Sequence, residues 1–253
     1  MRKILQNKDL RISLIFTPIG LVASIYVAWY QVSMFNDAIM QQILSQLGSI
    51  EALVVIAALQ GALLTFAATF LGLKIARKVH LKLNFLLDRK ALFLATCIAL
   101  VAAFIIVGSD RFIFAHYLTN SITNYAFSPV YLIAGILYGG IVEEILLRLL
   151  VMSLFVLILW KLFTRDKDSR QIPNGIFIAA IVLAALLFAA GHIPFTAQAI
   201  GLSVPIIIRA FVLNGLGGIG FGYLYWKKGL AYAMYAHAMT HVFMQVIFMP
   251  AFF

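Results

Sequence analysis

The sequence predicts an all-α, polytopic membrane protein with seven transmembrane helices and room for an eighth. Three observations predict it. The 253 residues are 64% hydrophobic and 11% charged, against roughly 45–50% and about 25% in soluble domains, and the mean hydropathy is +1.02. Apolar runs reach the roughly 20 residues that a helix needs to span hydrocarbon. The apolar–polar alternation that marks an outer-membrane barrel is missing. The composition excludes a water-soluble globule.

The apolar runs are 12–31, 50–73, 91–108, 128–160, 175–192, 206–226 and 229–253. The first follows a basic stretch, but no small-residue cleavage site comes after Trp29 and Tyr30, so it reads as an uncleaved span rather than a signal peptide. The fourth is too long. At 1.5 Å per residue it makes roughly 50 Å against about 30 Å of hydrocarbon, so it must tilt, protrude or break, with Gly139-Gly140 the expected point. A partly inserted eighth element has room there or in 194–205, bracketed by Pro194 and Pro205. With no repeat or low-complexity tract, residues 1–253 read as one transmembrane domain.

The net charge of +10 would suggest nucleic acid in a soluble protein, but here the basic residues lie between spans. Arg2, Lys3, Lys8 and Arg11 precede the first span. Lys74, Arg77, Lys78, Lys82, Arg89 and Lys90 join the second to the third. Lys161, Arg165, Lys167 and Arg170 follow the fourth, and Lys227 and Lys228 follow the sixth. The opposite loops hold Arg111. Positive-inside bias then puts the N-terminus in the cytoplasm and the C-terminus outside, with the bilayer as partner and no role for nucleic acid. Cys97, the single cysteine, reads as a small hydrophobe, and Asp166 and Asp168 as a solvated charge cluster.

The informative residues are ionisable groups inside apolar runs, each of which costs about 2.5–3.5 kcal/mol at a helix centre on the insertion scale. Glu143, Glu144 and Arg148 occupy the fourth run, His192 ends the fifth, and His237 and His241 lie in the seventh. Glu144 and Arg148 are i,i+4 neighbours and can pair, whereas Glu143 lies off that stripe and is left as a candidate general base. His237 and His241 are also i,i+4, the spacing by which one helix presents two imidazoles to a metal or a water. Glu143 and His192 each lie roughly 26 Å from the cytoplasmic ends of their runs and His241 about 18 Å, a mismatch that helix tilt and the run boundaries must absorb for one cavity to hold them. Taken singly, each has a plainer reading: a helix-packing ion pair, an interfacial cap, interhelical hydrogen bonds. His80 and His116 fall in loops and carry no role. Gly215, Gly217 and Gly220 fit G-x-G-x-x-G, but no strand precedes them and no acid follows Asp168, so close helix packing through Gly218 and Gly222 explains them better.

Glu143-Glu144-Ile145-Leu146-Leu147-Arg148 matches E-E-x-x-x-R, Phe188-Ala189-Ala190-Gly191-His192 matches F-x-x-x-H, and His237 opens an H-x-x-x-[N/D]-like element. In this order on separate spans, they resemble the CPBP (CAAX protease and bacteriocin-processing, or Abi) family of intramembrane proteases, which includes the type II CAAX prenyl endopeptidases. The resemblance covers roughly 128–245. It implies an integral protein of the bacterial cytoplasmic membrane that hydrolyses a peptide bond of a membrane-associated peptide or protein. In its terms Glu143 and His192 activate water, His237 and His241 stabilise the oxyanion, and Glu144 with Arg148 braces the site. His241 stands where the family commonly has Asn, which adds a third imidazole. A divalent metal such as zinc on His192, His237 and His241, or a metal-free glutamate mechanism, both stay open. Two other classes compete: a non-catalytic bacteriocin-immunity or scaffold protein, and a proton-coupled transporter.

Overall fold

The computed structural model describes residues 7–118, 126–164 and 168–253; Arg2, Lys3, Arg165, Asp166 and Lys167 lie outside the described residues. Among the described residues the fold is all-α, without a strand. Helices α1 (Lys8–Val32), α3 (Ile50–Lys78), α4 (Arg89–Phe112), α5 (Pro129–Phe163) and α8 (Val204–Lys227) are each long and apolar enough to cross a membrane, as is the pair α6 (Asn174–Gly191) and α7 (Ile193–Ala199). The chain is a polytopic integral membrane protein.

The last apolar run, 229–253, folds less simply than one straight span. It forms α9 (Leu230–Phe243), widens into π-helical turns at Met244–Phe248, and ends in Met249–Phe252. A helix that hydropathy does not reveal, α2 (Asp37–Leu47), sits between α1 and α3. The 194–205 segment is the short helix α7, with Pro194 in its first turn, where a missing N–H costs nothing. Side chains set several starts: Asn7, Asn36, Ser49, Asp88 and Ser128 each accept a hydrogen bond from a first-turn N–H.

The long fourth run does not break at Gly139-Gly140. It continues as one helix with π-helical turns over Gly135–Glu143 and Ile145–Met152. Wider i→i+5 turns hold more residues per turn than α turns, so the run packs its excess length into width. Small residues let neighbours approach it and each other. On α4, Ala91, Ala95, Ala99 and Ala103 form a fully buried i,i+4 stripe. Leu59, Leu63, Phe93 and Val101 stay exposed on the outside of the bundle, as lipid-facing positions require.

Candidate functional site

The two adjacent glutamates of α5 go to different places. Glu144 is fully buried, and so is Arg148 one turn on, whose Nε stands 3.3 Å from Glu144 Oε2. Arg148 is enclosed by aromatic faces, with its guanidinium carbon 4.9 Å from the Phe188 ring centre and 5.6 Å from that of Phe221. Its Nη2 donates to the Gly218 carbonyl at 3.3 Å. A side chain at Gly218 would meet Cβ of Ala185 at 2.9 Å, so the glycine is what lets α8 lie against α6 and present that carbonyl. Glu143 faces the other way, into a cavity of about 640 Å³.

His192, His237 and His241 line the same cavity. His237 lies between the glutamates: its Nδ1 is 2.8 Å from Glu144 Oε1, and its Nε2 is 3.8 Å from Glu143 Oε2. The Glu144 carboxylate, next to Arg148, is the acceptor, so His237 donates from Nδ1 and presents an Nε2 lone pair to the cavity. Phe221 stacks on the His237 ring with centroids 4.5 Å apart. His192 is the residue at which α6 ends and α7 begins; its Nδ1 donates to the Phe188 carbonyl at 2.9 Å, which again leaves Nε2 as the free acceptor. Phe188 meets both imidazoles edge-on, His192 at 4.6 Å and His237 at 5.9 Å.

His241 is held differently. Its ring runs parallel to that of His237, 5.3 Å away, and its buried Nδ1 has no hydrogen-bond partner. Both imidazoles lie over the π-helical part of α5 because residues 135 and 139 are glycine: a Cβ at Gly135 would come within 2.5 Å of the His241 ring, and one at Gly139 within 2.7 Å of His241 Nε2 and 3.3 Å of His237 Nε2. Among the described residues no three His, Cys, Asp or Glu side chains are grouped so that they could hold a metal ion.

Several residues that shape the cavity carry no motif. Phe221 anchors both His237 and Arg148. Tyr225 and Ser153 share a buried hydrogen bond of 2.9 Å beneath them. Asp110 of α4 and Arg209 of α8 form a two-point ion pair in the cavity wall, at 2.6 and 2.5 Å. The sole sequence signal for that pair was a lone arginine inside an apolar run, with its acid just past the end of another.

Residues 125–243 match the family model described as type II CAAX prenyl endopeptidase Rce1-like. No curated protein and no solved structure matches the chain. The matched segment contains α5 to α9 and all six ionisable residues of the three motifs. The Rce1-like region at 125–243 is consistent with a CPBP family protein and makes this part of the chain similar to the type II CAAX prenyl endopeptidases.

Proposed function

We propose that this chain is an endopeptidase that hydrolyses a peptide bond of a membrane-associated peptide or protein with a water activated by Glu143 and His192. The observation that carries the reading is the divergence of the two glutamates: Glu143 opens onto the cavity shared with His192, His237 and His241, while Glu144 is buried with Arg148 and turned to His237.

The roles follow from which nitrogen of each ring is free. Glu143 takes the proton of a water that His192 Nε2 holds by accepting its other hydrogen, and the hydroxide so formed adds to the scissile carbonyl. His241, with no partner on Nδ1, is free to place its N–H on Nε2 and donate to the developing oxyanion. Collapse of the tetrahedral intermediate breaks the C–N bond, and Glu143 returns its proton to the leaving amine. His237 is assigned a different role from the one its motif implied. Bound to Glu144 through Nδ1, it offers an acceptor rather than an oxyanion donor, and positions Glu143 and the water from one side. Nothing in this cycle needs a metal, so the reading is of a glutamate-dependent peptidase.

The test is cleavage of a membrane-peptide library by the purified protein and by Glu143→Gln. Loss of a general base lowers turnover by about 10²–10⁴-fold, with melting unchanged. Equal cleavage by both proteins rejects the assignment, and binding of a partner membrane protein that survives His192→Ala and His237→Ala would then favour a scaffold or immunity role.

A further inference from the structure

The cavity has a direction. Its walls come from the C-terminal ends of α1 and α4, the N-terminal half of α5, the C-terminal end of α6 with α7, the N-terminal half and middle of α8, and α9 from His237 onward. These are, helix by helix, the parts away from the basic loops. Lys8 and Arg11 begin α1, Lys74, Arg77 and Lys78 end α3, Arg89 and Lys90 begin α4, Lys161 ends α5, and Lys227 ends α8. No lysine lines the cavity among the described residues, and its one arginine, Arg209, is paired with Asp110. The opposite end of the bundle carries Asp37, Glu51 and Asp110 against Arg111 and Arg209.

We propose that the cavity opens on the extracytoplasmic face of the membrane and takes as substrate an extended, largely apolar peptide segment that has already been translocated. The side follows from the positive-inside rule applied to that charge separation. The peptide's chemistry follows from the cavity wall. There Tyr30 stacks on Tyr131 with centroids 4.5 Å apart, Phe195 stands 6.1 Å from Tyr30, and the lone ion pair is internally neutralised. Such a wall binds apolar side chains and attracts neither strong acids nor strong bases. The substrate claim rests on the peptidase reading above; the access claim does not.

Access is read by single-cysteine labelling in a Cys97→Ala background. Ser33→Cys lines the cavity, and Gln41→Cys on exposed α2 reports the same face should the first variant misfold. Leu86→Cys lies at the basic end, where Leu86 is 81% exposed. A membrane-impermeant maleimide is added to right-side-out vesicles. Ser33→Cys and Gln41→Cys label directly and Leu86→Cys labels only after permeabilisation if the cavity opens outside. The reverse pattern, or equal labelling of all three, overturns the inference. The two readings fail separately: Glu143→Gln leaves labelling unchanged whichever face is outside, whereas peptide cleavage reports on Glu143 whatever the labelling shows.

Discussion

Gly139→Ala separates a site effect from a folding effect. The added methyl would lie 2.7 Å from His241 Nε2, which is 0.7 Å short of the 3.4 Å at which ordinary contact begins, and 3.3 Å from His237 Nε2. His237 cannot yield, because Glu144 holds its Nδ1 and Phe221 covers its face. His241 can, since its Nδ1 is unbound and its ring borders the cavity. The substitution therefore turns His241 aside by somewhat under 1 Å. A misplacement of about 1 Å costs roughly 10²-fold in rate, so kcat is expected to fall about 10- to 100-fold with KM little changed. Moving a ring into open space spares the fold, and destabilisation should stay at or below the ~1 kcal/mol lower end of overpacking. Gly140→Ala is the control. Its methyl would meet Ala238 Cβ at 2.7 Å and the Ala238 backbone at 3.0 and 3.1 Å, so α9 itself must shift and melting temperature should drop. Peptide turnover and thermal melting in the same detergent decide the matter. Unchanged turnover in Gly139→Ala would refute the role given to His241.

Two further outcomes are expected. Glu144→Gln leaves the Arg148 charge buried without its anion, and breaking such a pair costs about 3–5 kcal/mol; melting should fall far more than for Glu143→Gln, and the opposite ranking would overturn the division of labour between the glutamates. Prolonged incubation with a chelator should leave peptide cleavage unchanged, with substoichiometric metal by elemental analysis; a loss of activity that zinc restores would defeat the metal-free mechanism.

Hydropathy made the spans legible because lipid imposes length and composition on every crossing segment. It missed α2, whose eleven residues mix Asp37, Gln41, Gln42 and Gln46 with scattered apolar side chains and so never form an apolar run. It also left the fourth run to tilt, protrude or break, without showing that the run stays one helix. The hydrogen-bond pattern of a π turn leaves no trace in apolar content, and the depth assigned to Glu143 assumed an α-helical rise throughout, which the π turns of α5 do not keep. The motif residues stood out because each is a costly polar group in apolar surroundings. Phe221 did not, being one of 21 phenylalanines. Nor did the Asp110–Arg209 pair, whose members lie 99 positions apart. The link from buried Asp9 to the exposed Arg77 was hidden in the same way, by 68 positions.

Why neighbouring glutamates serve different ends is an electrostatic matter. A carboxylate sealed among apolar helices persists only with a cation or hydrogen-bond donors beside it, and Arg148 and His237 supply both to Glu144. Burial withholds it from water: with His237 on Oε1, and Oε2 buried beside Arg148 without a hydrogen bond, Glu144 has no accessible oxygen with which to take a proton from water. Glu143 has the cavity on one side and an imidazole nitrogen at 3.8 Å, too far for a hydrogen bond and close enough to leave space for shared solvent. A structural acid that fixes an imidazole and an acid that faces the cavity are thus produced by one residue's step along the helix. Arg148 is what keeps them distinct. Its guanidinium is held by Glu144, the Gly218 carbonyl and the faces of Phe188 and Phe221, so it cannot swing toward Glu143, the base we propose.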